Sequence, residues 1–272
     1  MKKISVIGLG WLGEPLAKQL IKKGYHVMGS TTSPEKQERF EKQGIPSALL
    51  SFVPYPEGVD FHPLFETDLL IVNIPPRSRT FPESFHPEQI KYIKAMATQA
   101  GIKKIIYVSS TSVYPDANQE VRESDPLTLE NTGNKALFNA EQLLWQDKNY
   151  DLTIIRFGGL LGVDRIPGRY FSGKENVVGD SQVNYIHRDD AVNLIDWVIE
   201  KSLWNETFNG VCPIHPQRRE IYEKNALDLG MPPPSSYAAE GTSKWKVISP
   251  QKIQDTGLAF KIPNPLDFWY VG

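Results

Sequence analysis

Gly8, Gly10 and Gly13 stand at G-x-G-x-x-G spacing, directly after the apolar run Ile4-Ser5-Val6-Ile7. Glycines so placed can cradle a pyrophosphate, because backbone N–H groups must come close to the anion without side chains between them. Gly8 would permit a tight turn, Gly10 would let the backbone approach the phosphates, and Gly13 would let a helix pack against the strand. Trp11 and Leu12 lie inside the same turn and join the candidate cofactor site. An ordinary strand-to-helix turn can also hold three glycines, so the flanks decide. Lys3 to Ile7 reads as a short buried strand, and Leu12, Leu16 and Leu20 repeat at helical spacing. Lys22 and Lys23 suit a last helical turn, and Gly24 is placed to end it. The start of that helix would offer free N–H groups and about half a positive charge to the anion. The context points to a nicotinamide or related dinucleotide.

The second half of such a ligand is read further on. A site for NAD usually carries Asp or Glu about twenty residues past the glycines, to accept from the ribose hydroxyls. Here the segment is Gly29-Ser30-Thr31-Thr32-Ser33, without an acid, followed by Lys36 and Arg39. Hydroxyls and cations accommodate a 2′-phosphate that a carboxylate would repel. Thr31, Thr32 and Ser33 are therefore candidate cofactor residues, and NADP is favoured, with NAD the alternative. Ser33 also suits a helix cap before Pro34. Asn73, Ile74 and Pro75 end a later apolar strand close to where the cofactor should run. Arg77 and Arg79 follow in a loop, where a phosphate clamp and plain surface arginines look alike.

Other reactive side chains form no convincing set. His187 with Asp189 and Asp190 lacks a full ligand shell, and Asp189 as an N-cap with Asp190 in the first turn explains them, so no metal is expected. Cys212, the single cysteine, excludes an internal disulfide, fits a reducing cytoplasm, and reads as a small core residue beside Pro213.

The elements that must position these residues alternate, as a doubly wound parallel sheet requires. Strands are expected at Tyr25–Gly29, Ser47–Leu50, Asp68–Ile74, Lys103–Ser110 and Asp151–Phe157, and helices at Pro34–Gln43, Pro87–Ala100 and Ala136–Trp145. After Phe157 glycines and prolines interrupt the pattern; helices return at Asp189–Lys201 and Arg219–Leu229, and the final segment carries Trp245, Phe260 and Trp269. The chain of 272 residues is 40% apolar and 23% charged, with a net charge of −2. That balance gives no reason to expect nucleic acid or an anionic membrane as partner, and no apolar run approaches the length of a spanning helix. The basic start, Met1-Lys2-Lys3, leads into the first strand rather than a signal segment. The fold class is α/β, a Rossmann-type doubly wound parallel sheet with a small C-terminal substrate subdomain. Residues 1–158 form the dinucleotide domain, with helix 189–201 packing back on it, and 159–188 with 202–272 form the covering part.

Four segments, GLGWLG, IIYVSSTSVY, IIRFGGLLG and NYIHRDDAVNL, together resemble the extended short-chain dehydrogenase/reductase superfamily, which includes NAD-dependent epimerases and dehydratases. GMPPP and the short length look more like its atypical YeeZ-like subgroup. The resemblance makes Ser110, with Thr111 beside it, the candidate catalytic pair, whose hydroxyl would hydrogen-bond a substrate carbonyl or alcohol. Capping of the strand end is the other reading of Ser110. The superfamily's Tyr-x-x-x-Lys is where this chain departs: residues 131–137, Asn-Thr-Gly-Asn-Lys-Ala-Leu, contain no tyrosine. Alignment through Ala140-Glu141-Gln142 puts Gly133 and Leu137 at the two positions; alignment through Lys135 puts Asn131 at the first. Tyr170 and Lys174 match the spacing but lie in a glycine-broken stretch, and Tyr114 and Tyr185 are candidate donors better read as packing or wall residues. The resemblance implies a cytoplasmic oxidoreductase or epimerase-like protein acting on a small or sugar-linked alcohol or ketone. Its alternative is a dinucleotide-binding protein without turnover. A small-molecule substrate is the expected partner, and the oligomeric state stays open.

Overall fold

The computed structural model describes residues 2–78, 80–268 and 270. Arg79 and Trp269, both singled out in the sequence, lie outside the described residues. In chain order the elements begin with β1 (Lys3–Ile7), α1 (Gly13–Lys22), β2 (His26–Thr31), α2 (Pro34–Lys42), β3 (Ser47–Phe52), β4 (Pro56–Val59) and β5 (Leu69–Val72). They continue with α3 (Phe85–Gln99), β6 (Lys104–Ser110), β7 (Gln119–Val121), α4 (Lys135–Trp145), β8 (Asp151–Phe157), β9 (Gly159–Leu161) and α5 (Pro167–Phe171). The last are β10 (Tyr185–His187), α6 (Arg188–Glu200), β11 (Glu206–Gly210), α7 (Arg218–Leu229), β12 (Lys246–Ile248) and α8 (Gln251–Gln254).

The chain forms two compact units. The first comprises Met1–Val113, Leu127–Ile155 and Ile195–Thr207; the second comprises Tyr114–Pro126, Arg156–Leu194 and Phe208–Gly272. Segment 114–126 thus joins the second unit, and the division runs through α6.

The main sheet has eight strands in the order β11-β8-β6-β5-β1-β2-β3-β4. β1 pairs in parallel with β2 and β5, β2 with β3, and β5 with β6, whereas β4 runs antiparallel to β3 at the edge. From β1 the chain steps outward through β2 to β3, then returns to β5 and β6 on the other side. This reversal opens a crevice at the carboxyl ends of β1 and β5, the place where such sheets bind ligands. The central strands bury both faces, so β5 reads Leu-Leu-Ile-Val without alternation. Tyr107, Leu137, Leu144 and Ile154 join Ile90 and Ile93 in the core of the first unit.

Several boundaries differ from the sequence reading for visible reasons. β5 is shorter than expected, although Asp68 and Asn73 on either side of it still give their backbone N–H groups to Lys3 O and Ile7 O of β1. α3 starts before Pro87, which sits in the first turn, where a missing N–H is tolerated. β4 and the three-residue strands β7, β9, β10 and β12 are too short for periodicity to reveal. In the second unit β7 pairs with β12 and β9 with β10, both in parallel, and Val177, Val183, Ile221 and Tyr222 form a small core.

Candidate dinucleotide site

Gly8 and Gly13 sit where a Cβ would clash. Gly8 has φ +105°, and a Cβ there would stand 2.4 Å from the Asn73 carbonyl oxygen. A Cβ on Gly13 would meet the Gly8 oxygen at 2.2 Å, which is the close helix-to-strand approach. Nothing lies within 4 Å of a Cβ built on Gly10, so its backbone faces open space. The turn is fixed from both neighbouring strands. Gly8 N–H donates to Ser30 Oγ (3.0 Å), Leu9 N–H to Ser30 O (2.7 Å), and Asn73 Nδ2 to Gly8 O (2.9 Å). Ser30 is buried and its side chain holds the turn, a role its place among four hydroxyl residues had hidden.

A cleft of about 390 Å³ opens beside the turn. It is lined by Ile7 to Gly10, by Ser30, Thr31, Thr32 and Lys36, by Leu50 to Val53, and by Asn73, Ile74, Pro75, Arg77 and Gln89. No Asp or Glu is among these residues. Of the expected cofactor residues, Gly8, Gly10, Thr31, Thr32, Asn73, Ile74 and Pro75 meet there, whereas Trp11, Leu12, Gly13 and Ser33 do not line it. Leu12 is buried, and Ser33 is the N-cap of α2, its Oγ accepting from Lys36 N–H at 3.2 Å. Arg39 does not reach the cleft: its Nη2 lies 2.6 Å from Glu14 Oε2 and its guanidinium packs over the Phe40 ring. Burial raises the Glu14 carboxyl, but Lys18 and Arg39 outweigh it and hold it below the usual range. The open, acid-free space beside a helix N-terminus fits a dinucleotide. The walls at Leu50 to Val53 and at Gln89 were not foreseen, since nothing local marks a strand end or one amide on a helix.

Ser110 ends β6 half-buried, and its Oγ accepts the Ser112 N–H at 3.1 Å. Thr111 is buried. Beside them Thr132 Oγ1 donates to Val113 O (2.7 Å), and Asn134 caps α4 by accepting from Leu137 N–H (3.2 Å). Farther along α4, the buried Glu141 takes the Ser109 hydroxyl at 2.6 Å.

In the second unit, α6 starts at Arg188, so Asp189 is not its cap. The cap is His187, whose Nδ1 accepts the Asp189 N–H at 3.2 Å while its ring packs on Phe268. Asp190 does not serve the helix turn alone. It is buried and accepts the N–H groups of Lys261 (2.8 Å) and Ile262 (2.9 Å), tying down the C-terminal segment. Tyr114 is buried, its hydroxyl donating to Asn209 and accepting from Arg156. Burial pushes the Tyr185 hydroxyl up to about 12. Tyr170 is exposed in the short α5, and the Lys174 ammonium lies over its ring, 3.4 Å from the centroid. Cys212 is a buried core residue, and burial pushes its thiol up to about 12, away from the thiolate form. Among the described residues no helix is long and apolar enough to cross a membrane.

The sheet order and the glycine turn define a Rossmann-type α/β protein. Residues 3–61 match the NAD binding domain of 6-phosphogluconate dehydrogenase. Over 269 residues the chain is 32% identical to protein YeeZ of Escherichia coli K12, covering 98% of each, and it belongs to the YeeZ family. The fold also matches UDP-glucose 4-epimerase from Thermotoga maritima, solved with UDP-glucose, at a TM-score of 0.74 and 15% identity over 96% of this chain and 94% of the other. A short-chain dehydrogenase/reductase superfamily protein from Agrobacterium tumefaciens with bound NAD superposes at a TM-score of 0.72, with 16% identity over 95% and 92%.

Proposed function

We propose that this chain binds NADP(H) in preference to NAD(H), in the cleft beside the glycine turn. The reading rests on one observation: Lys36 and Arg77 line that cleft, and no carboxylate does. A 2′-phosphate gains two cations there, while a bare ribose finds no acid to accept from its hydroxyls. The backbone of Gly8 to Gly10 and the start of α1 would hold the pyrophosphate.

The same reading makes the protein an oxidoreductase or epimerase-like catalyst for a small or sugar-linked alcohol or ketone, without the tyrosine–lysine pair. A bound nicotinamide supplies hydride exchange. Ser110 contributes a donor: its oxygen already accepts from Ser112, so its O–H is left for a substrate oxygen. The T. maritima neighbour's UDP-glucose supports a sugar-linked substrate class. Loss of a general acid costs about 10²- to 10⁴-fold in rate, so slow turnover is expected. A binding protein without turnover is the second reading. It is favoured by the start of α4, where Thr132 and Asn134 are spent on the backbone and the alignment through Ala140 puts Gly133 and Leu137 at the tyrosine and lysine positions.

Titration with NADPH and NADH, followed by energy transfer from tryptophan to the reduced nicotinamide, tests the cofactor. Micromolar NADPH binding, weaker NADH binding, and loss of the difference in Lys36→Ala with Arg77→Ala are expected. A Trp11→Phe control shows whether Trp11 reports the site. Equal affinity for both nucleotides sinks the NADP preference. Oxidation of NADPH by a panel of carbonyls then separates catalyst from binder, and an unchanged rate in Ser110→Ala removes that residue's role.

A further inference from the structure

We propose that Gln89 reads the base of the bound dinucleotide and selects adenine, through a side-chain amide locked in one orientation. The inference rests on the cleft being the dinucleotide site. Along the sheet the order β5-β1-β2-β3 lays out the ligand. With the pyrophosphate at the β1 turn and the ribose at the end of β2, the base reaches the end of β3. There Phe52 and Val53 form one wall, and Gln89 from α3 lines the same space.

The amide cannot turn over. Gln89 Nε2 donates to Phe52 O at 2.7 Å, and a carbonyl oxygen only accepts. Oε1 must then face His86 Nδ1, 3.0 Å away, so that nitrogen carries the hydrogen. His86 Nε2 is left as the acceptor for the Tyr107 hydroxyl at 2.7 Å. Every link is buried. Burial lowers the His86 pKa and keeps the ring neutral, and burial together with the Glu141 charge keeps the Tyr107 hydroxyl protonated. The chain Tyr107 to His86 to Gln89 to Phe52 therefore runs one way only. Gln89 retains one Nε2–H and one Oε1 lone pair. A donor beside an acceptor on a fixed amide matches the edge of adenine, an amino group beside a ring nitrogen. Hypoxanthine presents a carbonyl beside a ring N–H, the reverse pattern. A free glutamine would flip to meet it; this one is held.

Binding constants for NADPH and NADH, each paired with its nicotinamide hypoxanthine analogue, give a direct readout that needs no turnover. Wild-type protein is expected to favour adenine about 10-fold or more, within what one bidentate base contact supplies. In Gln89→Met the ratio should fall to about 2-fold or less. In His86→Phe, which keeps the bulk but frees the amide, NADPH should still bind while discrimination falls. Equal wild-type affinity for adenine and hypoxanthine forms overturns the proposal, as does a Gln89→Met variant that keeps the ratio. No binding of any of the four nucleotides overturns both this proposal and the dinucleotide reading. Equal NADPH and NADH affinity with adenine still preferred removes only the 2′-phosphate preference and supports the base reader.

Discussion

Gly8 and Gly10 are separated by one residue, yet a methyl group has opposite consequences at each. At Gly8 it would collide with the Asn73 carbonyl in a backbone of positive φ, so Gly8→Ala is expected to cost about 2 kcal/mol or more of stability in urea denaturation. At Gly10 it meets open space, so Gly10→Ala should leave stability within about 0.5 kcal/mol. The same methyl would stand where the phosphates approach, and NADPH affinity in Gly10→Ala should drop about 10-fold or more, a loss of about 1.4 kcal/mol. A Gly10→Ala protein that binds as well as wild type would falsify the phosphate role of the turn. This much was legible in the glycine spacing, because the conformational demand falls on the residues themselves. The partners were not: Ser30 and Asn73, which fix the turn, are distant in sequence and meet it only through strand pairing.

Between elements, single buried side chains decide how strands and helices are held. Ser109 on β6 pins α4 through Glu141, and Ser109→Ala is expected to cost about 1–3 kcal/mol by leaving that buried carboxylate short of a 2.6 Å donor. The measurement is the urea midpoint of Ser109→Ala against wild type, and an unchanged midpoint would remove the pin. Asp190 does similar work in the second unit by holding the Lys261 and Ile262 amides. In Asp190→Ala those two amides should exchange with deuterium much faster, while amides in β1 keep their protection. Slow exchange at both would show that another contact secures the segment. The helix containing Asp190 was readable in the sequence. Its cap was misassigned to Asp189 because a histidine in the N-cap position gives no familiar signal, whereas two acids beside it do.

For the whole molecule, the buried histidines set a direction for stability against pH. Burial lowers the pKa of His86, His187 and His215 below the ordinary 6.5. The unfolded chain therefore binds more protons than the folded one below that value, and stability is complete above it and lost as pH falls through it. Each histidine contributes at most about 1.4 kcal/mol per pH unit. The urea midpoint should fall between pH 7.5 and 5.5, and a flat profile would contradict the combined effect of the three lowered histidines. The sequence by itself determined the alternation of strands and helices, the glycine turn and the missing acid after β2, because these depend on residue types and local period. Only the tertiary structure decided that Lys36 and Arg77 share the cleft while Arg39 is held by Glu14, and that Gln89 faces the end of β3. Those meetings follow from the order in which parallel strands lie side by side, and from buried hydrogen bonds that tolerate one orientation. Neither leaves a mark in any short window of the chain.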